Sequence, residues 1–112
     1  MSSHHCRIEN GNLCIESQRV CLPYIVDTFL LFQGIALIRL ESPPGEVFNR
    51  NISALSMAGE VLWQIEESPH GTQADKPFMS LHCDDNDRVI VGCWNGVTYA
   101  VNVENGNIRV VH

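Results

Sequence analysis

The fold is decided by the stretch VIVGCWNGVTYAV, residues 89–101. Its central Asn95-Gly96 lies between two apolar runs, and this dipeptide favours a type I′ turn, in which both central residues need a positive φ. In the second run valine and tyrosine occupy alternate positions, which is the period of a strand. The stretch therefore predicts an antiparallel hairpin with strands at 89–93 and 97–101.

The same pattern of short apolar runs separated by turn residues continues along the chain, as is typical of an all-β domain. The clearest further hairpin has strands at 52–56 and 61–65, and it places Val61, Trp63 and Ile65 on one face, with Trp63 in the core. Residues 35–40 are apolar on both faces, which predicts a central strand. Further turns are predicted at 33–34, 57–60, 84–87 and 105–106, and a further strand at 78–83.

Residues 23–32 allow two interpretations. The apolar residues at 22, 25, 26, 29 and 30 have helical spacing, and Pro23 suits the first position of a helix. We prefer a short loop or a single helical turn to about Thr28, followed by a strand over 29–32. The whole chain is then one domain, residues 1–112, with an all-β antiparallel meander of about 11 short strands.

A short sequence motif is repeated near the two ends of the chain. IENGNLCI at 8–15 matches VENGNIRV at 103–110, and both copies predict a strand, an Asn-Gly turn and a strand. Repetition of a hairpin unit is a mark of repeat architectures. The alternative is that a favourable hairpin sequence arose twice.

Two segments resemble the repeat of quinoprotein-like (PQQ-type) β-propellers. NISALS followed by GEVLWQI, within residues 51–65, is similar to that family's strand ending in Ala-Leu-Asp, its glycine turn and its strand ending in Leu-Trp. Residues 88–110 look like a second unit. Ser56 and Asn102 replace the usual Asp, and the second unit lacks the terminal Trp.

The resemblance implies four-stranded antiparallel blades, of which a closed ring needs at least four at roughly 40–45 residues each. A chain of 112 residues has material for two to three blades. We therefore expect no closed propeller, no complete quinone site and no cofactor, and we expect the open sheet edges to be covered by curling, by the N-terminal hairpin or by a second copy. In size the chain also resembles small bacterial orphan proteins of the mobile-gene-cassette type.

The charge balance disfavours two classes of partner. Thirteen acidic residues face seven basic ones, for a net charge of −6, and the arginines are scattered singly. Nucleic acids and anionic membrane surfaces are bound by clustered Lys and Arg, so we expect neither. The apolar segment 22–40 contains Pro23 and Asp27 and lacks a basic flank, which argues against a membrane span. A basic protein partner suits this chain better.

The cysteines and the first residues predict a cytoplasmic location. The chain has five cysteines, an odd number, and its N-terminal residues lack the apolar region of a signal peptide. Thiols stay reduced in the cytoplasm, and buried cysteines behave as small hydrophobic residues.

Candidate binding residues come from the connections. In a meander the connections 41–50, 66–77 and 94–96 lie at one end, and loops gathered on a rigid scaffold commonly bind partners. Phe, Arg, His and Trp side chains anchor interfaces or stack on flat ligands. The candidate binding residues are therefore Phe48, Arg50, His70 and Trp94, together with the turn residue Asn95. The alternative is that Phe48 and Trp94 plug the open end of the sheet.

The sequence contains no catalytic or metal motif of a known type. There is no H-x-x-x-H, C-x-x-C or phosphate-binding loop, and the acidic run at 84–87 lacks the spacing of a calcium loop. We therefore predict a non-catalytic protein-interaction module, with a homodimer and the neutralisation of a basic partner as options. A small-ligand binder with a pocket at the long-loop end is the alternative, and an enzyme of unknown type is the third interpretation.

Overall fold

The computed structural model describes residues 6–69 and 74–111, which contain eleven strands and no helix. The strands are β1 (Cys6–Glu9), β2 (Asn12–Ile15), β3 (Gln18–Arg19), β4 (Ile25–Phe32), β5 (Ile35–Glu41), β6 (Ile52–Ser56), β7 (Val61–Gln64), β8 (Phe78–Cys83), β9 (Val89–Cys93), β10 (Thr98–Val101) and β11 (Ile108–Val110). This part of the chain therefore offers no helical segment that could serve as a membrane span.

The strands form three antiparallel meanders in which chain neighbours are sheet neighbours. The N-terminal sheet contains β1–β3, the middle sheet β4–β7 and the C-terminal sheet β8–β11. None of the three closes into a barrel. The predicted all-β antiparallel meander without a closed propeller is therefore confirmed.

The middle sheet is buried on both faces. Alternate residues of β5, Ala36, Ile38 and Leu40, pack with the N-terminal sheet, while Leu37 packs with the C-terminal sheet. All residues of β5 from 36 to 40 are buried, which confirms the predicted central strand.

The N-terminal hairpin also contacts the edge of the middle sheet. The N–H of Val26 on edge strand β4 donates to the carbonyl of Gly11 at 2.9 Å. This contact satisfies a backbone group that an edge strand would otherwise leave without a protein partner.

Strand β4 corrects the prediction for residues 23–32. The strand begins at Ile25, so the preferred loop or helical turn as far as Thr28 is wrong. A β-bulge between Val26 and Thr28 inserts Asp27 as an extra residue. Val26 and Phe29 consequently pack in the same core although they are three residues apart, which explains the helical spacing of the apolar residues.

The Asn-Gly turns are of two kinds. Asn10-Gly11 has positive φ at both residues, as a type I′ turn requires, whereas at Asn95-Gly96 only Gly96 does, with φ of 87°. The N–H of Gly96 donates to the carbonyl of Cys93, which is the bond of a three-residue turn closed by a glycine bulge. The predicted hairpin at 89–101 is present, but its predicted type I′ turn is wrong.

The two copies of the repeated motif, residues 8–15 and 103–110, do not fold in the same way. Residues 8–15 form a hairpin with a two-residue turn, whereas Asn105-Gly106 lies within a longer connection that spans 102–107. In the second copy Val103 and Glu104 lie outside any strand because β10 ends at Val101.

The hairpin of β6 and β7 contains a second bulge, which changes the predicted face of β7. Trp63 pairs with Ala54 and packs towards the C-terminal sheet, but Val61 pairs with Leu55, on the opposite face. Val61 is 61% exposed, so the prediction that it shares a face with Trp63 is wrong.

Trp63 joins the middle sheet to the C-terminal sheet. Its indole N–H donates to the carbonyl of Val103 at 2.9 Å, and its ring lies over Gly106. A Cβ atom at Gly106 would be 2.5 Å from Cε3 of that ring. Trp63 is only half-buried, although it packs against the core as predicted.

We expect Gly106→Ala to destabilise the protein more than Gly96→Ala does. Both glycines have a positive φ, which costs alanine about 1–2 kcal/mol, but a Cβ at Gly96 meets nothing within 4 Å. The overlap with Trp63 adds about 1–3 kcal/mol at Gly106 only. Urea unfolding of both variants measures the difference, and equal losses would contradict the contact.

Candidate functional site

The long connections meet at one end of the molecule, called here the long-loop end: residues 41–51, 65–69, 74–77 and 94–97. Asn49 joins two of them, because its amide Nδ2 donates to the carbonyl of Ala74 at 2.7 Å and its Oδ1 accepts from the N–H of Lys76 at 2.8 Å. The N–H of Trp94 donates to the carbonyl of Pro77 at 2.9 Å, which adds the third connection.

Asn51 holds the middle and C-terminal sheets together at this end. Its side chain is 2% exposed and makes hydrogen bonds to both backbone groups of Phe78: Oδ1 accepts from N–H at 2.9 Å, and Nδ2 donates to the carbonyl at 2.8 Å. Nδ2 also donates to the carbonyl of Leu40 at 3.2 Å. The amide thus takes the place of a strand neighbour at the start of β8.

Arg39 lies beside Asn51 as a buried cation. One terminal nitrogen donates to the carbonyl of Phe78 at 3.4 Å, and the other donates to Asp27 and, at 3.4 Å, to Glu41. Its Nε is buried and has no hydrogen-bond partner among the described residues. The β-bulge at Asp27 explains this pairing, because the extra residue lies directly beside the Thr28–Arg39 register pair.

The carboxyl group of Asp27 is held in its ionised form. The hydroxyl of Thr28 donates to it at 2.8 Å, and Arg39 adds a second hydrogen bond and a positive charge. These groups hold the pKa of Asp27 below its ordinary value, against a smaller opposing effect of burial.

A cavity of about 260 Å³ opens at the long-loop end and is called here the long-loop cavity. Arg39 and Asn51 contribute to its wall beside the loop 41–48. Trp94 and Met79 also line it, although their side chains are 55% and 51% exposed.

Two of the predicted binding residues line this cavity. Phe48 stacks on Tyr24 with ring centroids 4.7 Å apart and is half-buried against the core, as expected for a plug. Trp94 contributes a largely exposed ring instead, so it does not plug the end of the sheet.

The other predicted residues are placed differently. Arg50 borders a separate depression with Glu66, and its Nε donates to the carbonyl of Ile65 at 2.8 Å. Asn95 uses its Oδ1 to accept the N–H of Val97 at 3.0 Å, which supports the turn. His70 lies outside the described residues.

Sequence reasoning missed Arg39, Asn51, Asp75 and Met79. A charged residue within the apolar strand IALIRLE, residues 35–41, is a usable signal, because buried cations need a partner. No pattern marks the other three residues, which are brought together by contacts between distant parts of the chain.

The long-loop end is both apolar and acidic. Seven large hydrophobic side chains are exposed among the described residues, and two of them, Val47 and Trp94, belong to this end. Met79 lines its cavity, and Ile25 pairs with Glu41 at its border.

The carboxyl groups that line the long-loop cavity belong to Glu41, Glu46 and Asp75. Glu46 accepts a hydrogen bond from the hydroxyl of Tyr24. Asp75 is exposed, and its carboxyl group makes no hydrogen bond or ion pair within the described part of the chain. The cation in the cavity wall, Arg39, is already neutralised by Asp27, so the cavity carries a surplus of negative charge.

Among the residues that the structure describes, no group of three or more His, Cys, Asp or Glu side chains is placed to hold a metal ion. Comparison with known proteins gives one finding: residues 3–111 match a family model described as a domain of unknown function (DUF7957). No curated protein and no solved structure matches the chain. The resemblance to quinoprotein-like propellers therefore stays a prediction.

We expect Asn51→Ala to lower the free energy of unfolding by about 2–4 kcal/mol, because it leaves the buried N–H of Phe78 without its partner and the carbonyl of Phe78 with only the longer hydrogen bond from Arg39. Asn86→Ala, at an exposed turn, is the matched control and should stay within about 0.5 kcal/mol of wild type. Urea unfolding with an unchanged slope measures both. Similar midpoints for the two variants would show that the amide does not join the sheets.

We expect the stability that Asp27 contributes to disappear at low pH. Because the pKa of this carboxyl is lowered in the folded state, its contribution is complete above the unfolded-state pKa, about 3.9, and is lost as pH falls through the folded-state pKa. The unfolding free energies of wild type and Asp27→Asn should therefore differ most above about pH 5 and converge below about pH 3.

The control for this pH series is Asn12→Ala, at an exposed position, which should keep the wild-type pH profile. A constant difference between wild type and Asp27→Asn from pH 7 to pH 2 would contradict the role of the carboxylate.

Proposed function

The chain belongs to the DUF7957 family, and because the description of that family assigns no function, we propose from the geometry that it is a non-catalytic protein-interaction module. Its binding face is the long-loop end. The partner is a protein with a basic surface, which this acidic domain would cover and neutralise.

The observation that carries the proposal is the exposure of Trp94 and Met79 side by side in the wall of one cavity. Tryptophan and methionine are enriched at protein interfaces, and tryptophan is among the commonest residues whose truncation strongly weakens binding. Full burial of a side chain of this size gains roughly 1.5–3 kcal/mol. A face that exposes Trp94, Met79 and Val47 can therefore drive association.

The face is held in place before any partner arrives. Asn49 joins the loop 41–51 to the segment 74–77, and the hydrogen bond from Trp94 to Pro77 adds the turn 94–96. Binding to a preorganised surface costs less conformational entropy than binding to mobile loops. These bonds support recognition by a fixed surface.

The charge of the chain supports a basic partner. The net charge is −6, and the long-loop cavity is lined by three carboxyl groups beside one paired cation. Complementary charge accelerates encounter and selects among partners more than it adds affinity. The apolar residues then supply the contact area.

A small-ligand binder is the second candidate, and the observation that favours it is the cavity itself. At about 260 Å³ the cavity lies just below the usual range for small-molecule sites, roughly 300–1,000 Å³. The buried polar groups in its wall, on Arg39 and Asn51, already bond to the backbone of Phe78. Apart from the Nε of Arg39, the polar groups left for a ligand are the exposed carboxyl groups of Glu41, Glu46 and Asp75, and on this ground we favour the interaction module.

A second copy of the chain is a further occupant for the same face. A homodimer through the long-loop end would bury Trp94 in both protomers, as two-fold symmetry requires. Sedimentation of a strict monomer at high micromolar concentration would remove this option and leave the face to another protein.

We expect Trp94→Ala to weaken partner binding at least tenfold, because it removes the largest exposed side chain of the face. The matched control is Leu62→Ser, which removes a residue of similar exposure, 51%, on β7. Wild type, Trp94→Ala and the control are first used to capture proteins from the native host. A protein that binds wild type and the control but not Trp94→Ala is then titrated by calorimetry.

The outcome also separates the candidates. Equal capture by all three proteins would contradict an interface at the long-loop end. A small molecule that raises the melting temperature of wild type but not of Trp94→Ala, with no protein captured, would favour the ligand binder instead.

A further inference from the structure

We propose that the long-loop cavity receives one arginine side chain of the partner, with its guanidinium group stacked on Trp94 and paired with the carboxylate of Asp75. This inference rests on the proposed function and specifies the chemistry of the contact. It follows from an aromatic face, unpaired negative charge and a size suited to one side chain, all found in the same cavity.

The aromatic face is the indole of Trp94. Trp94 is 55% exposed and lines the cavity, so its side chain is accessible to a partner. A cation over an indole face is attracted by the ring quadrupole, and tryptophan is the best of the aromatic residues for this contact. A planar guanidinium also stacks on the ring, which an ammonium group does not.

The negative charge comes from Asp75 and Glu41. Asp75 is exposed, and its carboxylate has no hydrogen bond or ion pair within the described residues. Glu41 is 54% exposed and reaches Arg39 only at 3.4 Å. Carboxylates bind guanidinium groups with two parallel hydrogen bonds, which gives direction as well as energy.

Arg39 does not cancel this charge. It is buried at 6% exposure and is paired with Asp27, which is not among the residues that line the cavity. The carboxylates of Glu41, Glu46 and Asp75 then remain as the charge that faces an incoming group. An anionic ligand is repelled, and a cationic one is attracted.

The size and the remaining walls fit the stem of an arginine. A volume of about 260 Å³ suits one long side chain better than a drug-sized ligand. Phe48, Met79 and Pro44 supply apolar surface along which three methylene groups can lie. Arginine buries its stem in this way while its charged head keeps polar contacts.

The test is a titration of the ¹⁵N-labelled full-length chain with Nα-acetyl-arginine amide, followed through the indole N–H signal of Trp94. The signal is assigned with Trp94→Phe. The indole N–H of Trp63 serves as an internal control because it is already bonded to Val103. We expect a saturable shift with a dissociation constant of about 1 mM or weaker, as befits a single side chain.

Three comparisons define the specificity. Nα-acetyl-citrulline amide has nearly the same shape without the charge and should bind at least tenfold more weakly, whereas the lysine analogue should bind more weakly than arginine. Asp75→Asn should weaken arginine binding at least threefold. Asp85→Asn, an exposed carboxyl in the turn 84–87, is the matched control and should leave it unchanged.

The inference is overturned if the citrulline compound binds as tightly as the arginine compound. It is also overturned if Asp75→Asn does not weaken binding of the arginine compound. If a captured protein depends on Trp94 but the arginine compound does not bind, this inference fails and the interaction module stands. If the arginine compound binds and no captured protein depends on Trp94, the interaction module fails and the cavity is a site for a small cationic ligand.

Discussion

The hydrogen bonds between the side chain of Asn51 and the backbone of Phe78 are the interaction on which the rest of this structure depends. They occur where the middle sheet and the C-terminal sheet meet, in a region that excludes water. Because a buried amide must satisfy both its donor and its acceptor, the start of β8 has only one favourable position relative to β6. That position sets the direction of β8 and brings Met79 beside the turn that carries Trp94.

The second constraint is that the sheets are open. None of the three closes on itself, so each keeps two edges. The middle sheet is covered on both faces by the other two, and the hydrogen bond from Val26 to Gly11 satisfies part of its edge strand β4. The β-bulge at Asp27 in the same strand turns a carboxylate to the buried Arg39. Covering an edge and neutralising a buried cation are thus two results of one irregular strand.

Stability and recognition draw on different residues at the long-loop end. The side chains of Asn49 and Asn51 bond to backbone groups, and Arg39 bonds to the backbone of Phe78 and to Asp27. These bonds fix the loops. Trp94 and Asp75 contribute little to that framework because their side chains face solvent. Exposed residues of such a surface can be substituted without loss of its shape, because the β scaffold holds the loops in place and the loops carry the binding residues.

The sequence by itself determined the all-β class, the hairpins at 52–64 and 89–101 and the central strand β5, because alternation and turn residues act over a few neighbours in the chain. It also placed the long connections at one end, and it selected Phe48 and Trp94. It did not determine the irregularities in the pairing of β4, β7 and β8, the three-residue turn at Asn95-Gly96 or the different structures of the repeated ENGN motif, since bulges and turn lengths depend on what the partner strand requires. Only the tertiary structure decided that Arg39, Asn51, Asp75 and Met79 line one cavity and that Arg50 does not, because packing between sheets joins residues that are up to forty positions apart and share no local pattern.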